Sequence, residues 1–240
     1  MINGKRVLGI IPARGGSKGL PRKNLLEICG KPLISWTIAQ ASRSKYTDRV
    51  FVSTDSREIA DVAEKSGVAV PFLRPDEFAR DSSPTWEAVI HSLDAFEARG
   101  ERYDYVAILE PTSPLRKVGD IDSGIARLAS SDKAQTLISV GEVHTEHPMI
   151  VKKVDQAGFV SPYFTGGKSI YQRQQVDRAF FPYGVIYLAT LASYRLLKTV
   201  YSEYTLSIEI ERWQNYEIDD EIDFMVVEQI MKKFIGEING

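Results

Sequence analysis

Short apolar segments alternate with longer amphipathic segments along most of the chain, and this alternation limits the fold more than any other feature of the sequence. An apolar run at residues 6–12 precedes a helical pattern at 32–43, and a second run at 49–53 precedes a helical pattern that ends at Gly67. Parallel strands need long crossover connections, which are usually helices. The pattern therefore predicts an α/β fold in which a mostly parallel sheet has helices on both faces.

The alternation continues beyond the middle of the chain, lapses, and then resumes. It predicts a strand at 68–73, a helix at 84–98, a strand at 103–109, a helix from about Asp120 and a strand at 136–140. Residues 144–182 carry prolines, a Gly-Gly pair and polar tracts without periodicity, so they are interpreted as an excursion from the core. The last predicted elements are a strand at 184–189 and helices at 191–198 and 221–235.

The composition excludes several classes of function. Thirty Lys and Arg residues against 32 Asp and Glu residues give a net charge of −2, so no global positive field draws the chain to nucleic acid. The single cysteine, Cys29, has no partner for a disulfide, which fits a reducing compartment. The first apolar run is far shorter than the roughly 20 residues that span a bilayer. We expect a cytoplasmic protein that binds neither nucleic acid nor membrane.

A cationic, glycine-rich loop at residues 13–24 follows the first predicted strand. Its three glycines let the backbone approach a ligand closely, and four cations lie within ten residues: Arg14, Lys18, Arg22 and Lys23. The loop matches neither the P-loop nor the dinucleotide fingerprint, and a solvated basic turn is the simpler alternative. Because open α/β sheets bind ligands at the carboxyl ends of their strands, we expect this loop to bind a triphosphate.

Two further segments carry groups suited to phosphate chemistry. The turn at 110–116 holds two hydroxyls and an arginine directly after a predicted strand, although a purely structural turn is the alternative. In an extended stretch, Glu217 and Asp219 would face the same side and offer two carboxylates to one hard cation. The alternative is an acidic start to the last helix. Together with the cationic loop, the carboxylates favour phosphoryl or nucleotidyl transfer with Mg²⁺.

Serine hydrolase and zinc chemistry are not indicated. The sequence lacks the G-x-S-x-G motif, and His91, His144 and His147 lack the context of a catalytic triad. His144 and His147 are three residues apart, but no third ligand follows at the spacing of a zinc site. We interpret both as loop residues.

Three motifs resemble those of the acylneuraminate cytidylyltransferases, the CMP-sialic acid synthetases. They are residues 10–19 (IIPARGGSKG) with Lys23-Asn24, residues 111–116 (PTSPLR), and Arg173-Gln174-Gln175 ahead of Pro182-Tyr183-Gly184. The resemblance runs from about residue 6 to the last helix. It implies a single Rossmann-like, three-layer nucleotidyltransferase domain over 1–240, with a small dimerisation insertion at 142–182. It also implies a homodimer that joins CTP to a sialic-acid-like 2-keto-3-deoxy sugar acid, using Mg²⁺ or Mn²⁺ and releasing pyrophosphate.

The resemblance further implies roles for individual residues. The catalytic groups would be Arg14, Lys18 and Lys23, which hold the triphosphate, with Lys23 nearest the α-phosphate. The nucleotide would contact Ala13, Arg14, Gly15, Gly16, Asn24, Arg74 and Thr85. The sugar would contact Glu110, Thr112, Ser113, Arg173, Gln175 and Tyr183. The metal would be held by Glu217 and Asp219.

Three residues on the sugar side depart from the family pattern. Glu110 replaces a Gln, Tyr183 replaces an Asn, and Ile150 replaces a Lys. A carboxylate beside an anionic sugar acid weakens binding unless it is paired, so neuraminate, legionaminate, pseudaminate and octulosonate types all stay open as acceptors. Two other functions also stay open. One is a sugar-1-phosphate nucleotidyltransferase that uses another nucleoside triphosphate, and the other is a catalytically silent nucleotide-binding module.

Overall fold

The computed structural model describes residues 1–17, 19–164 and 177–239. Its strands are β1 Val7–Pro12, β2 Glu27–Ile28, β3 Lys31–Pro32, β4 Arg49–Ser53, β5 Tyr105–Ile108, β6 Thr136–Glu142, β7 Lys152–Val154, β8 Val160–Pro162, β9 Phe180–Thr190 and β10 Thr205–Glu209. Its helices are α1 Leu33–Arg43, α2 Arg57–Lys65, α3 Thr85–Glu97, α4 Val118–Ala129, α5 Leu191–Leu197 and α6 Glu221–Ile238. Within these residues, no helix combines the length and the apolar character needed to cross a membrane.

Six strands form one sheet in the order β10-β6-β9-β5-β1-β4. β1 is parallel to both of its neighbours, β4 and β5, and β10 is parallel to β6. β9 is antiparallel to β5 on one side and to β6 on the other. The other five strands of this sheet therefore run in the same direction, and their carboxyl ends meet at one edge.

The sheet is buried on both faces, as expected for the predicted α/β fold. Every residue of β1 except Pro12 is buried, which is typical of a strand with helices on either side. A second, smaller apolar cluster contains Trp36 of α1 and Met231 of α6, together with Leu115 and Ile218. This cluster holds the chain around residue 218 against the turn at 110–116.

Most predicted elements are confirmed, but the strand predicted at 68–73 is wrong. Val68 and Val70 are buried, yet the segment pairs with no strand of the sheet. Pro71 lies in its middle and has no N–H to donate to a ladder, so the segment packs beside the sheet as a loop. The sequence pattern also does not predict β10 or the antiparallel direction of β9, and α4 begins at Val118, ahead of the predicted Asp120.

The aperiodic segment leaves the sheet between β6 and β9, as the sequence predicts. Within it, β7 and β8 pair as an antiparallel hairpin. His147 is a loop residue there: its Nε2 lies 3.0 Å from the Asp177 carbonyl oxygen, and Met149 N donates to its Nδ1 at 3.2 Å. Residues 165–176 lie outside the described residues. The dimerisation role of 142–182 stays a prediction.

Candidate active site

A cavity of about 500 Å³ lies at the edge where the strands end. Because β1, β4 and β5 are parallel neighbours, the loops that follow them meet there. β10 ends at the same edge, so the chain after it carries residues 217–219 to this place. The cavity is lined by Pro12, Arg14, Ser17, Gly19, Lys23, Asn24, Arg74, Phe78, Arg80, Asp81, Ser83, Thr85, Glu110, Pro111, Thr112 and Asp219.

Positive side chains from two parts of the chain face this cavity. Arg14 comes from the glycine-rich loop, and Arg74 and Arg80 come from the segment ahead of α3. Arg14 forms an ion pair with Asp81, with 2.7 Å between Nη1 and Oδ1. Such a concentration of positive charge in a concave site attracts polyanions. The predicted catalytic residue Lys18 lies outside the described residues.

Lys23 is a largely buried cation in the cavity wall. Its side chain is 13% exposed, and its Nζ donates to the Ile218 carbonyl oxygen at 2.7 Å and to Asp219 Oδ1 at 3.1 Å. Asp219 itself is 81% exposed at the cavity. The structure thus brings the cationic loop and the acidic segment together, although they are almost 200 residues apart in the sequence.

The glycine-rich loop is anchored to the end of β4. Ala13 N donates to the Ser53 carbonyl oxygen at 2.9 Å, and Gly15 N donates to Asp55 Oδ1 at 2.9 Å. Asn24 Nδ2 donates to the Arg14 carbonyl oxygen at 3.2 Å. The Gly15 amide, which the resemblance assigns to the nucleotide, is therefore already engaged within the protein.

At Gly19 the loop touches the acidic segment directly. A Cβ atom added there would lie 2.5 Å from the Asp219 carbonyl oxygen, so only glycine allows this close approach. By contrast, a Cβ atom added at Gly16 would meet nothing within 4 Å.

Arg74 and Thr85 border the cavity on the side of α3. Arg74 is buried, and its Nη2 donates to the Ser53 carbonyl oxygen. Its Nε finds no hydrogen-bond partner among the described residues, which leaves a donor for a ligand. Burial lowers the pKa of Arg74, and the nearby Asp55 carboxylate opposes that change.

Glu217 faces inward, toward the turn at 110–116. Its Oε1 accepts hydrogen bonds from Ser113 Oγ at 2.6 Å and from the Gly184 amide. A Cβ atom added to Gly184 would lie 2.7 Å from Glu110 Oε2, so glycine at this position lets both carboxylates approach the same strand. Glu217 and Asp219 therefore have separate protein partners, at either side of Ile218.

The Glu110 carboxyl group lies in an unfavourable environment for a negative charge. Burial raises its pKa to about 7, and the carboxylates of Glu217 and Asp219 contribute to the rise, whereas Arg116 opposes it. No hydrogen-bond donor from the described residues contributes to this balance. The group is therefore open to a ligand that donates hydrogen bonds.

Arg116 stabilises the backbone next to the acidic side of the cavity. It is fully buried, and its Nη2 donates to the carbonyl oxygens of Glu110 at 2.9 Å and of Gly184 at 2.8 Å. Its remaining donors reach the Val185 carbonyl oxygen and the side chains of two residues of α1, Thr37 and Gln40. The guanidinium group thus joins the turn at 110–116 to β9 and α1.

A second cavity, of about 260 Å³, adjoins the first. Thr85 and Glu110 line both, so they form the border between the two. We call this second space the tyrosine cavity. Its lining residues are Thr85, Trp86, Ile108, Glu110, Tyr187, Tyr194, Lys198, Thr199, Val200 and Tyr201.

The residues predicted to contact the sugar fall into three groups. Glu110 and Thr112 line the first cavity, and Ser113 is buried with its hydroxyl bonded to Glu217. Tyr183 lies beside Phe181, with 5.2 Å between ring centroids, and lines neither cavity. The other two predicted residues, Arg173 and Gln175, lie outside the described residues.

Several residues that line the cavities are not predicted from the sequence. Arg80 and Asp81 could have been predicted, because a charged pair directly ahead of a predicted helix lies at the edge of an α/β sheet where the strands end. Tyr187 and Lys198 could not be predicted, since each lies within or beside a regular element and resembles an ordinary core or surface residue in the sequence. Their role in lining a cavity becomes visible only when β9 lies beside β5.

Replacing Glu110 by Gln is expected to stabilise the protein at alkaline pH. The unfolded chain releases this proton near pH 4.5, whereas the folded protein holds it up to about pH 7. Stability therefore falls as the pH rises between these values, and above pH 7 the free energy of unfolding is lower by about 3 kcal/mol. Urea unfolding of Glu110→Gln should match the wild type at pH 4.5 and exceed it at pH 8. The exposed residue Glu27 supplies the control, because Glu27→Gln should show no such divergence.

The sequence matches the family described as "Cytidylyltransferase" over residues 8–230. A CMP-N,N'-diacetyllegionaminic acid synthase of Legionella pneumophila is 35% identical, and the match covers 95% of this chain and 97% of that relative. An N-acylneuraminate cytidylyltransferase of Escherichia coli is 32% identical over 95% of this chain, which spans 52% of that relative. A pseudaminic acid cytidylyltransferase of Campylobacter jejuni is 42% identical over 45% of this chain.

Solved structures show the same fold. A CMP:2-keto-3-deoxy-manno-octonic acid synthetase complexed with CTP superimposes with a TM-score of 0.69 at 17% identity, covering 95% of this chain and 99% of that one. A 4-diphosphocytidyl-2C-methyl-D-erythritol synthase from Anaerococcus prevotii gives a TM-score of 0.64 at 16% identity, covering 96% of this chain and 100% of that one. The predicted three-layer nucleotidyltransferase fold is thereby confirmed. With the family match over almost the whole chain, the chain belongs to the cytidylyltransferases, as its motifs indicate.

Proposed function

We propose that this cytidylyltransferase joins CTP to a sialic-acid-like 2-keto-3-deoxy sugar acid, giving a CMP-sugar and pyrophosphate. One observation carries the proposal: Arg14, Lys23 and Asp219 line a single cavity at the carboxyl ends of β1 and β5. The names of the relatives support the choice of substrates, since they are synthases of CMP-linked legionaminic acid and cytidylyltransferases for neuraminic and pseudaminic acids.

In the proposed reaction, the cavity neutralises the triphosphate while the acceptor attacks. The acceptor hydroxyl oxygen bonds to the α-phosphorus and its proton passes to solvent, while the bond from that phosphorus to the bridging oxygen breaks and pyrophosphate leaves with the electron pair. Lys23 and Arg14 stabilise the charge that develops on the phosphate oxygens. Arg74 and Thr85, which line the same cavity, would contact the cytidine, as the resemblance implies.

We also propose a Mg²⁺ site at Asp219 and Glu217. Both are hard oxygen donors, and Mg²⁺ commonly takes only one or two carboxylates and fills its shell with water and phosphate oxygens. When bound, the ion would neutralise phosphate charge during nucleotidyl transfer.

The acceptor is proposed to occupy the tyrosine cavity. This cavity meets the nucleotide at Thr85 and Glu110, so an acceptor there could present its reacting hydroxyl at the border. Aromatic walls suit the C–H faces of a sugar, and the Glu110 carboxyl group can accept a hydrogen bond from a hydroxyl or amino group. A sugar acid of the legionaminic, pseudaminic or neuraminic type is the proposed acceptor.

A homodimer is proposed from the apolar surface of the β7–β8 hairpin. Phe159 and Val160 are 72% and 65% exposed, and Tyr163 and Phe164 are more than half exposed beside them. A contiguous apolar surface of this kind marks an interaction site. Sedimentation of the wild type should give a dimer, whereas Phe159→Asp combined with Val160→Asp should give a monomer. A wild type that sediments as a monomer would refute the proposal.

The reaction is tested by following pyrophosphate release with Mg²⁺, four nucleoside triphosphates and a panel of keto-sugar acids. We expect release with CTP and with at least one nine-carbon acid. Preference for a base other than cytosine, with a sugar 1-phosphate as acceptor, would favour the sugar-1-phosphate nucleotidyltransferase. Tight CTP binding without release from any acceptor would favour a silent nucleotide-binding module.

Arg14→Ala and Asp219→Ala should each lower kcat at least ~10-fold, which corresponds to a loss of about 1.4 kcal/mol of transition-state stabilisation. Both residues line the cavity, and each substitution removes a charge that the proposed reaction uses. The measurement is steady-state pyrophosphate release at saturating CTP and Mg²⁺. Arg57 and Asp61 form an ion pair on α2 outside the cavity, so alanine at either position should leave kcat unchanged. Near-wild-type rates for both cavity variants would contradict the assignment.

A further inference from the structure

Lys198 is an exposed residue that lines the edge of the tyrosine cavity. It directly follows α5 in a left-handed conformation with φ of 54°, and its N–H donates to the Tyr194 carbonyl oxygen at 2.9 Å. Its Nζ lies 4.5 Å from the centroid of the Trp86 ring, a distance at which cation and ring attract each other. Backbone and side chain together therefore place the ammonium group against one wall of the cavity.

Lys198 is the only positively charged residue among the described residues that line the tyrosine cavity. It does not line the first cavity, whereas Glu110 lines both. It also forms no ion pair with any described carboxylate, unlike Lys117, which pairs with Glu211. An ammonium group at this position is available to a ligand.

The tyrosines of the same cavity offer further unused polar groups. Tyr194 is 2% exposed, and burial alone raises the pKa of its hydroxyl, with no hydrogen bond from a described residue contributing. Tyr187 is half-buried and Tyr201 is 53% exposed, and burial, followed by the charge of Glu110, raises the pKa of each. Three tyrosine hydroxyl groups, Lys198 and Glu110 line this cavity, so it is suited to a polar molecule rather than to an apolar one.

We propose that Lys198 determines acceptor specificity by donating to an oxygen atom on the part of the acceptor farthest from the reacting hydroxyl. This inference rests on the proposed function, because the reacting hydroxyl must lie at the Glu110 border, close to the nucleotide. The rest of the acceptor then extends toward Lys198. A carbonyl oxygen, as in an acylated amino group, accepts a hydrogen bond from an ammonium group, whereas a free amino group is positively charged and is repelled.

The test compares two sugar acids that differ only in whether their most distant amino group is acylated. The wild type should favour the acylated acceptor at least ~10-fold in kcat/KM. Lys198→Met should reduce this preference to less than about 3-fold, Lys198→Glu should reverse it, and Lys198→Arg should restore most of it. The KM for CTP should stay the same in all variants. Lys65→Met, on α2 outside both cavities, is the matched control.

An unchanged preference for the acylated acceptor in Lys198→Met would overturn the inference. A variant whose only defect is a raised KM for CTP would also overturn it. Calorimetric titration of both sugar acids, with CMP present, separates this inference from the proposed function. If the wild type releases no pyrophosphate but Lys198→Met weakens binding of the acylated acid alone, the proposed reaction fails and the specificity role stands. If Lys198→Met binds both acids as tightly as the wild type does, the specificity role fails, whether or not the proposed reaction is correct.

Discussion

Replacing Lys23 by Met is expected to lower kcat by a factor of about 100 to 1,000. The Lys23 side chain is largely buried, and a positive charge acts more strongly at a buried position than at an exposed one. Removal of one group that stabilises the transition state typically lowers kcat by this factor. The substitution also removes the ion pair that Lys23 forms with Asp219, the proposed Mg²⁺ ligand. Single-turnover measurements of CMP-sugar formation, at saturating CTP and acceptor, report this loss.

Lys31 provides the matched control for Lys23. It precedes α1 and places its Nζ over the Trp36 ring, at 3.6 Å from the centroid, outside the cavity. Lys31→Met makes the same chemical change as Lys23→Met, and it should leave kcat within about 2-fold of the wild-type value. A Lys23→Met enzyme that keeps more than a third of the wild-type kcat would remove Lys23 from the proposed mechanism.

Replacing Arg116 by Met should lower the free energy of unfolding by about 3 to 5 kcal/mol. Burial lowers the pKa of Arg116 to about 10, so the group still carries its charge at neutral pH. Its loss would remove one donor from each of the carbonyl oxygens of Glu110, Gly184 and Val185, although backbone N–H groups still donate to the first two at 3.2 Å. It would also remove a buried charge whose polar surroundings are arranged around it. Urea unfolding measures the change.

Arg57→Met tests whether the effect of Arg116→Met comes from burial rather than from removal of an arginine as such. Arg57 is exposed on α2, and exposed ion pairs contribute little, so its loss should change the free energy of unfolding by less than about 0.5 kcal/mol. A change below about 1 kcal/mol for Arg116→Met would show that the turn at 110–116 does not depend on this network.

Much of the cationic side of the cavity could be predicted from the sequence because its signals are local. The three glycines and the cations of residues 13–24 are consecutive, and the preceding apolar run identifies β1. A loop after a parallel strand must begin at the strand's carboxyl end, so the placement of Arg14 and Lys23 at the sheet edge follows from the order of the elements. The structure confirms that both line the cavity.

The acidic side could be predicted only in part. Spacing alone suggested that Glu217 and Asp219 act on one side as a pair, but each has its own partner: Ser113 and the Gly184 amide for one, Lys23 for the other. These partners lie far away in the sequence. The segment reaches them because β10 pairs with β6, and the sequence pattern does not reveal that pairing.

The alternating fold class and the cationic character of the glycine-rich loop follow directly from the sequence, because both depend on residues that are neighbours along the chain. The environment of Glu110 and the tyrosine cavity, in contrast, arise from tertiary packing. Burial and electrostatic repulsion act through space, and the groups responsible come from β5, β9 and the segment after β10. No local pattern records how closely such distant segments pack.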